Sequence, residues 1–122
     1  MKNPVGWFEI YVQDMPRARK FYESVFGSTF TRIGGDNPEM WTFASDMETY
    51  GAGGALVHMP GFESGNNSVI VYFTCDDCAV EAKRAVDSGG RMMKPKFAIG
   101  EYGFISLVFD TEGNMIGLHS MG

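Results

Sequence analysis

Glu9 stands between Trp7 and Tyr11 in the run Trp7-Phe8-Glu9-Ile10-Tyr11-Val12. In an extended segment alternate side chains share a face, so a strand here presents an indole, a carboxylate and a phenol together. A carboxylate in that setting can act as a general base, or anchor a cationic or hydroxylated ligand. The competing reading is a structural acid hydrogen-bonded to Tyr11, Tyr72 or a backbone N–H. An enclosed carboxylate would need such a partner, because desolvation disfavours its charged form. His58 and His119 are the two histidines, the residue type able to pass a proton near neutral pH. Each reads singly as a structural residue, and gains a role only if it faces the cavity that Glu9 faces. Trp7, Trp41, Phe43, Tyr72 and Phe104 could wall a site for a planar or apolar ligand, with half of them ordinary core. Tyr102, beside Glu101 and flanked by Gly100 and Gly103, reads as a lid or as a plain connection between strands.

Other chemistry finds little support. Cys75-Asp76-Asp77-Cys78 is a C-x-x-C at a strand-to-helix junction, where a thiol pKa can fall. The two intervening carboxylates act the other way, and parity turns both cysteines toward the core. Nothing nearby completes a zinc site. There is no glycine-rich phosphate loop and no nucleophile elbow.

The elements that would position these residues follow from periodicity. Phe8, Ile10 and Val12 form the second face of the first strand. Asp14 is an N-cap, Pro16 suits the first turn, and Ala18, Phe21, Tyr22 and Val25 make an amphipathic stripe that stops at Gly27. Further strands are expected at Ser28–Ile33, Met40–Ser45 and Gly54–His58, with turns at 34–38 and a loop at 46–53. A linker from Pro60 to Asn67 leads to a fifth strand, Val69–Cys75. Val71, Phe73 and Cys75 share one face there, and Ile70, Tyr72 and Thr74 the other. Asp76 or Asp77 caps a second helix with the stripe Cys78, Ala82, Ala85 and Val86, ended by Gly89-Gly90. Strands at Arg91–Phe97, Tyr102–Phe109 and Asn114–Ser120 complete the chain, the last two joined by the turn Asp110–Asn114.

These elements repeat. Asp14 to Gly27 and Asp77 to Gly90 are each 13 positions; Gly27 to Gly54 and Gly90 to Gly117 are each 27. Two copies of strand–helix–three strands, at about 5–59 and 68–120, account for the spacing. Neither copy can bury its sheet alone, so the copies must pack together, within one chain or between chains.

Size and charge bound the rest. The 122 residues suffice for a single domain. A net charge of −5 with scattered Lys and Arg argues against tracking a phosphate backbone, so no nucleic-acid partner is expected. No apolar run is long enough for a bilayer, and no basic-then-apolar leader opens the chain. A cytoplasmic place with reduced cysteines, and no membrane partner, is the resulting expectation.

Phe21-Tyr22-Glu23-Ser24-Val25-Phe26-Gly27, Phe109-Asp110-Thr111-Glu112-Gly113-Asn114-Met115-Ile116 and Ile99-Gly100-Glu101-Tyr102-Gly103-Phe104 occur in order along the chain. Together with the repeat they resemble the vicinal oxygen chelate superfamily, which includes glyoxalase I, bleomycin- and fosfomycin-resistance proteins and extradiol dioxygenases; the third stretch resembles a glyoxalase-like subgroup. The resemblance implies an α+β fold. Two tandem βαβββ modules curl into an eight-stranded cup, helices lie on the convex side, and the ligand sits in the cup, often in a homodimer. Trp7, Glu9, Tyr11, Ile70, Tyr72 and Thr74 would then face the cup, and so would Trp41 and Phe43. Gly117 and His119 share one strand face, and Gly54, Leu56 and His58 another.

The same resemblance implies a divalent metal held by His and Glu on the first, fourth, fifth and eighth strands. The matching positions are Trp7 for the first ligand, Ile70 for its repeat mate and Gly117 for the last. None of the three has a lone pair for a cation. His58 alone would not hold one. A shifted set of Glu9, His58 and His119 is the remaining alternative, with zinc, nickel or manganese. The expectation is a cup without metal or cofactor that takes a small molecule, as resistance-type members do. The ligand set is Trp7, Glu9, Tyr11, Trp41, Phe43, His58, Tyr72, Tyr102, Phe104 and His119. The alternative is a lyase or isomerase, lactoylglutathione lyase-like, with Glu9 as catalytic base.

Overall fold

The computed structural model describes every residue except Met1, Lys2, Pro4, Met47, Asn67 and Ser68. The parts of the expected loop and linker at Met47 and Asn67 therefore lie outside the described residues. In chain order come β1 (Trp7–Tyr11), α1 (Met15–Phe26), β2 (Phe30–Ile33), β3 (Glu39–Phe43) and β4 (Gly53–His58). The second half holds β5 (Tyr72–Thr74), α2 (Cys78–Asp87), β6 (Arg91–Ala98), β7 (Phe104–Phe109) and β8 (Met115–Ser120), with a 3-10 turn at Gly100–Tyr102 before β7. The expected βαβββ repeat is present. Most differences are frayed strand ends; the expected seventh strand loses Tyr102 to the 3-10 turn.

Both helices begin and end as their caps dictate. Asp14 accepts the Arg17 N–H at 3.0 Å, and Gly27 takes the left-handed conformation at φ 67° while its N–H returns to the Glu23 carbonyl. Asp77, not Asp76, caps α2 by accepting the Ala79 N–H. Ala18, Phe21, Tyr22 and Val25 are all buried. Each large apolar side chain among them contributes roughly 2 kcal/mol of burial. In α2 the stripe holds for Cys78, Ala82 and Ala85, whereas Val86 is 43 % exposed. The helix lies on its sheet along a narrower stripe than the spacing suggested.

Two four-stranded sheets form, with orders β1-β4-β3-β2 and β5-β8-β7-β6. β1 pairs with β4, and β5 with β8, in parallel; the other pairs are antiparallel. β1 and β5 are thus the sheet edges that meet at the seam. The copies pack within a single chain. Phe73 of β5 stacks on Phe26 of α1 at 4.4 Å and meets Phe8 edge-on at 6.3 Å, so one core serves both halves. The helices cover one side of the sheets, and the other side is left as an open cup. No helix among the described residues is long and apolar enough to cross a membrane.

Candidate functional site

The concave face of β1 carries a ladder of three side chains. The Trp7 indole N–H donates to Glu9 Oε2 at 3.2 Å, and the Tyr11 hydroxyl donates to Glu9 Oε1 at 3.0 Å. Tyr11 also stacks on Phe62, with ring centroids 5.3 Å apart. Burial, then the hydrogen bond and charge of Glu9, raise the Tyr11 phenol above its ordinary pKa. Glu9 itself is exposed, not enclosed as expected. The wide mouth leaves it in reach of solvent, and its neighbours fix its position. A carboxylate offers about four acceptor positions, so two remain open after Trp7 and Tyr11 are served.

Across the seam, Tyr72 lies flat on Gly117, its partner on β8. A Cβ built at Gly117 would fall 2.3 Å from the Tyr72 ring, so the ring takes the space a side chain at position 117 would need. Trp7 lies more loosely over Gly53, at 3.7 Å from the corresponding Cβ position. His119 follows Gly117 on the concave face, and its Nε2 lies 2.6 Å from the Tyr102 carbonyl oxygen. A carbonyl can only accept, so this contact assigns a proton to Nε2 and leaves Nδ1 for another partner.

Three connected hollows result. One of about 550 Å³ on the seam is lined by Val5, Trp7, Glu9, Ile70 and Tyr72, among others. A second, of about 660 Å³, lies beyond Tyr72 and includes Tyr50, Thr74, Ile105 and His119. A third, of about 200 Å³, lies at the other end of the ladder, between Glu9, Tyr11, Glu63 and Met115. Trp7 and Tyr72 are 46 % and 47 % exposed in these walls.

Four of the expected cup residues lie on the helix side instead. Trp41 pairs with Leu56, a core residue under α1. Its ring is covered by the Arg19 guanidinium at 3.8 Å, and its indole N–H donates to Glu39 at 2.9 Å. Phe43 belongs to the same face and packs against Tyr22 at 5.6 Å. Phe104 pairs with Ser120, whose hydroxyl accepts the Cys78 N–H at the start of α2, and the Lys96 ammonium lies 4.7 Å over its ring. His58 alternates with Val57 on β4, so it shares Leu56's face and points away from Glu9. The reason is register: Trp7 opposes Gly53, which places Gly53, Ala55 and Val57 in the cup and their alternates outside it. Tyr102 borders the site through its carbonyl, with its side chain largely exposed.

The residues present do not fit the metal that the sequence motifs bring to mind. An indole, an isoleucine and a glycine already filled by the Tyr72 ring occupy three ligand positions. The shifted set fails because His58 and Glu9 face opposite sides of the sheet. Among the described residues no three His, Cys, Asp or Glu side chains gather where they could hold an ion.

A polar cluster that the sequence reading took for a simple hairpin turn joins the two halves. Glu112 Oε1 accepts the backbone N–H groups of Gln13 and Asp14, both at 2.9 Å, and both oxygens accept from Arg17 at 2.7 and 2.9 Å. Burial pushes the Glu112 carboxyl up, but Arg17 and the two amides more than reverse that, so its pKa lies below the ordinary value. Asp110 accepts the Glu112 and Asn114 N–H groups and the Tyr22 hydroxyl at 2.7 Å. Burial raises its pKa despite those bonds. Asn114 in turn donates to the Tyr11 carbonyl at 2.9 Å. The signal was an acid-rich turn with Arg17 waiting in the first turn of the distant helix. Much of the Asp110–Asn114 motif therefore holds β1 and its ladder in place.

Comparison with known proteins agrees with the fold. The profile of the Glyoxalase/Bleomycin resistance protein/Dioxygenase superfamily matches residues 5–118. Proteins named "Putative glyoxylase CFP32" from Mycobacterium bovis and Mycobacterium tuberculosis are 30 % identical over 123 aligned positions, covering 93 % of this chain and 44 % of theirs. The chain thus spans under half the length of these curated relatives. Glyoxalase I from Zea mays superposes with a TM-score of 0.78 at 18 % identity, over 97 % of this chain and 46 % of that one. A glyoxylase/bleomycin resistance protein/dioxygenase domain from Frankia sp. EAN1pec gives 0.75 at 14 % identity, with 98 % of both chains covered. With three motifs, a tandem βαβββ cup and a profile running nearly end to end, the chain belongs to the Glyoxalase/Bleomycin resistance protein/Dioxygenase superfamily.

Proposed function

We propose that this chain is a metal-independent small-molecule-binding protein of the glyoxalase/bleomycin-resistance type, acting in the cytoplasm as a homodimer to sequester or sense its ligand. The observation that carries the reading is the Tyr72 ring seated on Gly117. The place where the family motif offers a metal ligand is taken by a binding wall. The Trp7–Glu9–Tyr11 ladder supports it, because its polar groups are fixed before any ligand arrives and two acceptor positions stay open. A thermal-shift screen of a fragment library tests it, run with and without a chelator. Stabilising hits that persist in chelator and weaken in Tyr72→Leu support the reading. Hits that vanish with chelator and return with zinc, nickel or manganese refute it.

A second reading, a lyase or isomerase with Glu9 as base, draws on the likeness to a protein named a glyoxylase and on the accessibility of Glu9. Exchange of a bound ligand's acidic C–H with solvent deuterium, lost in Glu9→Gln, would establish it.

A further inference from the structure

The charge around the hollows is one-sided. Among the described residues lining the seam hollow, Glu9 is the one acid or base of the Asp, Glu, His, Lys and Arg types. Glu63 joins it in the smaller hollow, and His119 is the one such group in the larger. Among the described residues, no lysine or arginine lines any of the three. On the second sheet, Arg91 and Lys94 are held over the rings of Phe109 and Phe97 at 4.3 and 4.0 Å. The rest of the seam hollow is aromatic or aliphatic. Trp7 and Tyr72 present half-exposed rings from its two edges, and the ring quadrupole attracts a positive charge placed over its face. Glu9 cannot swing away from such a charge without giving up the Trp7 and Tyr11 donors.

We propose that the cup takes an organic cation: an ammonium or similar group on an aromatic or apolar body, its charge beside Glu9 and its body between Trp7 and Tyr72. This rests on the reading of the cup as a ligand site and names the ligand's class. The net charge of −5 draws the same class toward the protein.

Three probes of nearly equal size separate the alternatives: benzylamine, charged at neutral pH, neutral benzyl alcohol and anionic benzoate. Trp41→Phe leaves Trp7 as the one tryptophan, so its fluorescence reports the seam, with calorimetry as a second readout. Benzylamine should bind about tenfold more tightly than benzyl alcohol, from a cation–ring contact and a partly exposed ion pair. Benzoate should bind most weakly. Glu9→Gln should weaken benzylamine about tenfold, and benzyl alcohol, which has no ion pair to lose, by far less. Tyr72→Leu should weaken both. Melting curves show that the variants fold. Equal binding of amine and alcohol, or tighter binding of benzoate, overturns the cationic class and leaves the cup as a ligand site. Failure of all three to bind, while library fragments do bind the cup, also overturns the class. Failure of every compound overturns the cup reading itself.

Discussion

Truncating Glu112 should loosen the two halves of the protein from each other. Its side chain is fully out of solvent, while Arg17 is half exposed, at 51 %. Glu112→Ala leaves the Gln13 and Asp14 N–H groups without their acceptor at the junction of β1 and α1. Each lost bond to a partly buried amide costs about 1 kcal/mol. The ion pair adds about 1 kcal/mol at most, because Arg17 stays hydrated. The sum is about 3 kcal/mol out of a total stability of roughly 5–15 kcal/mol. That corresponds to a fall in Tm of about 10 °C for a domain of this size. Glu112→Gln keeps an oxygen for the amides and loses the charge, so about 1 kcal/mol is expected. Urea unfolding followed by circular dichroism measures both, and Arg17→Ala with the double variant isolates the pair. If Glu112→Ala costs under about 0.5 kcal/mol, the turn is a surface feature and the reasoning fails.

The remaining predictions follow from local geometry. The folded pKa of Glu112 lies below its unfolded value near 4.5, so its contribution is full above that value and fades as pH falls through the folded pKa. The stability gap between wild type and Glu112→Gln should therefore close in acid. Asp110 works in the opposite sense: its raised pKa favours folding most below its ordinary value of 3.8, and that contribution is lost as pH rises through the folded pKa. Gly103→Ala should cost at least about 2 kcal/mol by thermal unfolding, since φ is 100° and the new Cβ would fall 2.4 Å from the Ser120 carbonyl oxygen. Cys75 and Cys78 are free and buried, and burial raises the Cys75 thiol to about 12. Neither should react with a disulfide reagent at neutral pH until the protein unfolds; rapid labelling of the native state would contradict this.

How much of this was legible depends on which interaction decides each feature. The cap at Asp14, the stop at Gly27 and the alternation in β1 are local, and local chemistry settled them, whereas the cap of α2 stayed open between Asp76 and Asp77 until the structure placed it at Asp77. The motifs gave the fold because they recur in order along the whole chain. Trp41, Phe43, Phe104 and His58 went to the wrong face because strand register is set by partners far away in sequence. A shift of one position turns every side chain over. The aromatic wall consequently reduces to Trp7 and Tyr72, both half exposed. The bonds from Glu112 to Gln13, Asp14 and Arg17 span 95–99 positions, and no spacing rule reports such a contact.

The most direct test of the central claim is equilibrium dialysis of the purified chain against zinc, nickel and manganese, with bound metal counted by mass spectrometry. The account predicts no stoichiometric ion, and no change in binding of the library fragments when metal is added. One tightly held ion per chain, lost in Glu9→Ala, would contradict it.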